Sequence, residues 1–171
     1  MGSVSLDFAE FYRRARNDCL RAVLATVGDQ DMAQDLVDEA FARACASWRK
    51  VSKHPAPAAW VVHTALNENI SRWRRRRREV AVPDPGKFAD VPGADGAIGS
   101  AVDPGIMAAL LRLPARQRQV VVLRVFLDLD TDRTADVLGV APSTVKAHLA
   151  RAIGALRDDL VPSESGRTTH E

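Results

Sequence analysis

From Phe8 onward the small and apolar residues fall at helical spacing: Phe8, Tyr12, Ala15, Cys19, Ala22, Val23 and Thr26 share one face. Gly28 closes this helix and Asp29 to Asp31 makes the turn. Asp31 and Gln34 stand at capping-box spacing and open a second helix. Its apolar seam of threes and fours runs through Ala33, Leu36, Val37, Ala40, Phe41, Ala44, Cys45 and Trp48. Lys50 to Pro57, with two prolines, reads as a loop. A third helix begins near Ala58, buries Val62, Leu66, Ile70 and Trp73, and runs into a line of arginines.

The C-terminal pattern is broken into shorter helices by more frequent punctuation. A short helix covers Ile106 to Arg112, and Leu113-Pro114 interrupts it, with Pro114 suited to the first turn of the next. Val120, Val121, Leu123, Arg124 and Phe126 continue that helix, and Asp128-Leu129-Asp130 is a turn. Thr131 to Leu138 then reads as a short helix, Gly139 as a left-handed stop, and Pro142 to Leu160 as a longer helix. That order is the layout of a helix-turn-helix, with Ala135, Leu138, Val140 and Val145 as its core and Leu149, Ile153 and Leu156 extending the stripe. The alternation of β-branched residues that marks strands is absent, so the fold class is all-α.

Between the two patterns, residues 79–105 show no period, four prolines and an acidic bias, which reads as a flexible linker. The chain divides into a helical domain at 5–78, the linker at 79–105, a helix-turn-helix domain at 106–161 and a polar tail at 162–171. The whole is 171 residues with a net charge of +2, 46% hydrophobic and only two cysteines. A wholly disordered chain and a disulfide scaffold are excluded. No run approaches the roughly 18 apolar residues of a membrane span, and no basic-then-apolar start suggests a secretory signal, so a cytoplasmic location is expected.

The charge is unevenly placed, and that narrows the function. Asp35, Asp38 and Glu39 cluster on the outer face of the second helix. His63, Asn67, Ser71, Arg74, Arg75 and Arg78 fall near one face of the third, in steps of about 100°. Asn and Arg read bases and phosphates, and guanidinium planes stack on unpaired bases. Four phosphates neutralised there give a log–log salt slope of roughly −3 to −4. The loop residues Lys50, Ser52, Lys53 and His54 add basic character. Trp60 and Trp73 suit base stacking, but their phase favours core packing. On the last helix, Ser143, Thr144, Lys146, His148 and Arg151 form a polar outer face suited to the major groove. An acidic face gains nothing from DNA, so it points to a basic protein partner. The four histidines are not at metal-ligand spacing, Cys19 and Cys45 lie in core phase, and no nucleophile or phosphate-loop motif occurs. No enzyme site, metal or cofactor is expected.

Two blocks of residues carry a resemblance. Asp35-Leu36-Val37-Asp38-Glu39-Ala40-Phe41, Ala59-Trp60-Val61, Ala65-Leu66-Asn67 and the arginine run resemble sigma region two. Leu113-Pro114-Ala115-Arg116-Gln117-Arg118 through Arg124, then Thr134 to Val140 and Ser143 to Ala152, resemble sigma region four. In this order, with a linker between them, they resemble an extracytoplasmic-function (ECF) sigma factor of bacterial RNA polymerase. The resemblance implies a promoter-specificity subunit. Asp35, Asp38 and Glu39 would dock on the basic clamp coiled coil of core RNA polymerase. Lys50, Ser52, Lys53, His54, His63, Asn67, Arg74, Arg75 and Arg78 would bind the melted −10 element, with the loop and Asn67 capturing a flipped base. Ser143, Thr144, Lys146, His148 and Arg151 would read the −35 element. An anti-sigma factor is the implied regulator. The family often has Gln where Asp38 stands, Glu where Arg133 stands, and a polar cap where Ala141 stands. Two other readings compete: a helix-turn-helix regulator whose N-terminal bundle dimerises or senses a ligand, with an exposed apolar face, and a helical adaptor without a DNA role.

Overall fold

A computed structural model describes residues 2–79 and 103–161. The body of the expected linker and the tail from Pro162 lie outside the described residues. Eight helices are described: α1 (Gly2–Val27), α2 (Gln30–Ala46), α3 (Trp48–Val51), α4 (Pro57–Glu79), α5 (Pro104–Arg112), α6 (Ala115–Val125), α7 (Thr131–Leu138) and α8 (Pro142–Leu160). Every regular element among the described residues is helical.

The chain's own punctuation sets the helix ends. Gly28, at φ +75°, takes the left-handed conformation that stops α1. The cap of α2 is Asp29, two residues before the expected capping box, and its carboxylate accepts from the Met32 amide at 2.7 Å. Asp29 is extended and faces the free amides, whereas Asp31 is already inside the first turn. The expected loop from Lys50 begins with an extra helical turn, α3, because Trp48 and Val51 are both buried. Asp103 caps α5 through the amides of Gly105 and Ile106. Asp130 caps α7 by accepting from the Arg133 amide at 2.8 Å.

α1, α2 and α4 pack together as one bundle, with α3 closing its end. Its core holds Leu20, Val23, Leu36, Val37, Phe41, Val61 and Val62. An aromatic group covers one end: the ring of Trp48 stacks on Phe11 at 5.0 Å and meets Phe8 edge-on at 5.3 Å, and Tyr12 meets Phe41 at 4.9 Å. The second group of helices packs around α8, with Val120, Val122, Leu123 and Val145 fully enclosed. The two groups also meet, α1 against α5 and α6, and α4 against α7, so one apolar core runs through both.

Several expected core positions prove to be surface. Ile70 and Trp73 are 38% and 46% exposed, because the buried stretch of α4 ends at Leu66. The helical period marks a face but not the length over which a neighbour covers it. Cys45 is exposed, one step round from Phe41 at the edge of the buried arc. Ile153 is 47% exposed, off the line of Val145 and Ala152.

Candidate nucleic-acid interface

The fold divides the charged residues among three surfaces. On α2, Asp35, Asp38 and Glu39 are all exposed, opposite the buried seam of Leu36, Val37 and Ala40. They are not bare charges. Asp38 lies 3.6 Å from Arg16 of α1, and Glu39 accepts from Arg43 at 3.0 Å. Asp35 borders a groove with Met32, Asn69, Arg72, Arg75 and Arg76.

On α4, the side chains described for the arginine run point outward: Arg74, Arg75, Arg76 and Arg78 are exposed and Arg72 is half-buried. Glu68 organises part of the run, and nothing in the periodicity had singled it out. Its carboxylate takes Arg72 at 3.3 Å and Arg43 of α2 at 3.1 Å, with Arg75 at 3.9 Å. Burial pushes the Glu68 carboxyl up, but the hydrogen bonds from Arg72 and Arg43 outweigh it and hold it below the ordinary glutamate value. Arg43 therefore joins Glu39 on the acidic face to Glu68 on the basic helix. The i,i+4 spacing of Glu68 and Arg72 was a readable signal; the pairing with Arg43 needs the packing of α2 on α4.

One turn before the run, the Asn67 amide nitrogen lies 3.3 Å from Nε2 of His63. Asn67 is exposed and His63 half-buried. Burial, and then the positive charge of Arg116 on α6, keep His63 below the ordinary histidine value. The loop after α3 is held by backbone turns, Ser52 amide to Trp48 carbonyl at 2.8 Å and His54 amide to Val51 carbonyl at 3.0 Å. Lys50, Ser52 and Lys53 are exposed, and His54 Nδ1 accepts from the Ala56 amide. Trp60 packs against the core rather than standing free.

The third surface is the helix-turn-helix. Gly139 is left-handed, at φ +64°, and the Val140 amide returns to the Ala135 carbonyl at 3.1 Å, which closes α7. Thr134, fully buried, donates its hydroxyl to the Asp130 carbonyl. Ala141 offers α8 no side-chain cap, and Pro142 occupies the first turn in its place. Ser143, Lys146 and Arg151 are exposed on the outer face, while Thr144 and His148 flank it half-buried. His148 Nδ1 is enclosed and has no hydrogen-bond partner among the described residues.

Among the described residues, no group of three or more His, Cys, Asp or Glu is placed to hold a metal ion. No described helix is long and apolar enough to cross a membrane.

An acidic helix beside an arginine-rich one, followed by a helix-turn-helix, is the arrangement of a sigma protein. Residues 11–79 match sigma-70 region 2 and residues 105–156 match sigma-70 region 4. The chain is 34% identical over 161 residues to the RNA polymerase sigma-E factor of Streptomyces coelicolor, covering 94% of this chain and 89% of that one. It is 27% identical to the RNA polymerase sigma factor SigV of Bacillus subtilis over 149 residues, 87% of this chain and 88% of that one. The sigma factor RpoE of Bartonella quintana, solved with the anti-sigma factor NepR, superposes with a TM-score of 0.73 at 25% identity, covering 90% of this chain and 96% of that one. The chain belongs to the sigma-70 family, as a protein with regions 2 and 4. Within that family it is an ECF sigma factor, an RNA polymerase subunit for promoter recognition.

Proposed function

We propose a division of labour among the three surfaces. Asp35, Asp38 and Glu39 on α2 dock on a basic surface of core RNA polymerase. Lys50, Ser52, Lys53 and His54 of the loop, with His63, Asn67, Arg74, Arg75 and Arg78 of α4, hold the melted −10 strand. Ser143, Thr144, Lys146, His148 and Arg151 of α8 read the −35 element in the major groove. The chain works in the cytoplasm, has no enzymatic activity of its own and is restrained by an anti-sigma factor, as its structural neighbour RpoE is solved with one.

The observation that supports this most is the opposition of charge within one bundle. α2 presents acids and α4 presents arginines on neighbouring helices. A DNA-only regulator would have no use for the acids, and a dimerising bundle would present apolar side chains in their place. The arginines supply sequence-independent affinity for the strand. Asn67 and the loop supply a pocket for an extruded base, whose unstacking costs a few kcal/mol.

The test is co-migration with core polymerase at moderate salt, wild type beside Asp35→Arg/Glu39→Arg. The wild type is expected to bind and the charge reversal to be lost from the complex. A wild type that ignores core polymerase while its helix-turn-helix still binds DNA would instead mark an ordinary DNA-binding regulator.

A further inference from the structure

α2 and α4 lie side by side with their chain directions opposed. Arg43 of α2 meets Glu68 of α4 at 3.1 Å, so residues earlier on α2 face residues later on α4. There the two helices leave a groove of about 500 Å³, lined by Met32 and Asp35 from α2 and by Asn69, Arg72, Arg75 and Arg76 from α4. That volume is in the range of small-molecule sites. The groove carries opposite charges, yet they do not pair across it. Arg72 is held by Glu68 at 3.3 Å and Arg75 more loosely at 3.9 Å, while neither Asp35 nor Arg76 has an ion-pair partner among the described residues. Asn69 is half-buried and makes no side-chain hydrogen bond among the described residues, so its amide keeps both donor and acceptor for a ligand. Met32, also half-buried, adds an apolar surface with a polarisable sulfur.

These features select a ligand with two unlike ends. Guanidinium groups bind phosphate oxygens through their forked donors. An ionised carboxylate only accepts, so it calls for donors on the ligand. A nucleic-acid strand laid along the groove would bring further phosphates against Asp35, and like charges repel. A free nucleotide meets both demands, with its phosphates on the arginines and its base on the Met32 thioether, since sulfur packs well against aromatic rings. Guanine presents two adjacent donors on one edge, N1–H and the N2 amino group, which match the two oxygens of a carboxylate. Adenine offers its N6 amino group beside a bare ring nitrogen, whose lone pair the carboxylate repels.

We propose that the groove between α2 and α4 binds a free guanine nucleotide, with Asp35 reading the base and Arg75 and Arg76 holding the phosphates. Asp35 cannot serve the base and a basic surface of core polymerase at once, so bound nucleotide and core polymerase exclude each other. That exclusion rests on the docking role proposed for Asp35; the nucleotide site does not.

The experiment titrates the full chain with GDP, ADP and inorganic pyrophosphate by isothermal titration calorimetry at low salt. GDP is expected to bind roughly 3- to 10-fold more tightly than ADP, the worth of one or two exposed hydrogen bonds, and pyrophosphate more weakly than either. Asp35→Asn, which replaces one acceptor by a donor, is expected to erase the preference for GDP without weakening ADP. Arg75→Gln/Arg76→Gln is expected to weaken both nucleotides several-fold. All three positions are exposed, and circular dichroism checks that each variant keeps its helicity. A wild type that does not bind GDP overturns the site. Equal affinities for GDP and ADP, unmoved by Asp35→Asn, overturn the reading of guanine. A thymidine oligonucleotide with one guanosine that displaces GDP, where the all-thymidine strand does not, overturns the free nucleotide in favour of the DNA strand. Co-migration with core polymerase is then repeated with saturating GDP, which is expected to reduce the complex several-fold. If GDP binds and the complex is unchanged, the site stands and the exclusion is overturned.

Discussion

Glu68→Gln tests whether the arginine run is free to act on DNA. In the wild type the Glu68 carboxylate engages Arg72 and Arg43 directly and Arg75 at longer range. An arginine held by a carboxylate neutralises no phosphate. Removing the charge releases Arg72, and Arg75 with it if the longer contact also holds. On single strands each phosphate neutralised adds about 0.7 to the log–log salt slope, so the slope should steepen by about 0.7 with Arg72 alone and about 1.4 with both. Between about 50 and about 200 mM salt that is an additional loss of affinity of about 2.5-fold or about 7-fold. The variant should therefore bind more tightly at low salt and converge on the wild type at high salt. The assay is fluorescence anisotropy of a labelled single-stranded oligonucleotide with the chain bound to core polymerase, repeated across the salt range. The reasoning is refuted if the variant binds more weakly at every salt with an unchanged slope. That result would mean that Glu68 orients the arginines for the strand instead of competing with it.

Three further outcomes are expected. Asp130→Ala removes the cap of α7 and should cost about 1 kcal/mol in urea unfolding, while Ala141→Ser adds the cap α8 lacks and should recover up to about 1 kcal/mol. His63 is held below its ordinary value, so the folded chain disfavours its protonation; the stability this supports is present above about pH 6.5 and is lost as pH falls below that. Thermal melts at pH 7.5 and 5.5 should therefore differ more for the wild type than for His63→Gln. Burial, and then Asp18, push the Cys19 thiol up to about 12, whereas Cys45 is exposed, so a thiol reagent at mild alkaline pH should modify one cysteine in the native chain and two after unfolding.

The helices were legible because their signals are local. Gly28, Gly139 and Pro142 stop or start helices through their own backbone preferences, and α7 and α8 fall where the pattern places them. Signals that depend on a neighbour were harder to read. Ile70 and Trp73 continue the stripe of α4, but the length of the bundle decides that they emerge from it. α3 depends on Val51 being buried beside Trp48, and the proline-rich, basic stretch that holds Val51 conceals this. The charged faces were visible as clusters, since Asp35, Asp38 and Glu39 recur at helical spacing. Their pairings were not, because the bonds of Arg43 to Glu68 and of Arg118 to Thr26 join residues 25 and 92 positions apart. A guanidinium that reaches a backbone carbonyl leaves no charge pattern in the sequence to betray it.

The aromatic end of the first bundle has a spectroscopic consequence. Trp48, Trp60, Trp73 and Tyr12 are the chain's three tryptophans and its one tyrosine, and all precede residue 80. Intrinsic fluorescence therefore originates wholly in the region 2 half, and Trp48, packed on Phe11 and Phe8, reports the integrity of that end. Ultraviolet circular dichroism of the helices registers both halves. Comparing the two signals through a denaturant titration separates the halves without a label: coincident transitions mean that they unfold as one cooperative unit, and a dichroism change without a fluorescence change means that the region 4 half melts alone.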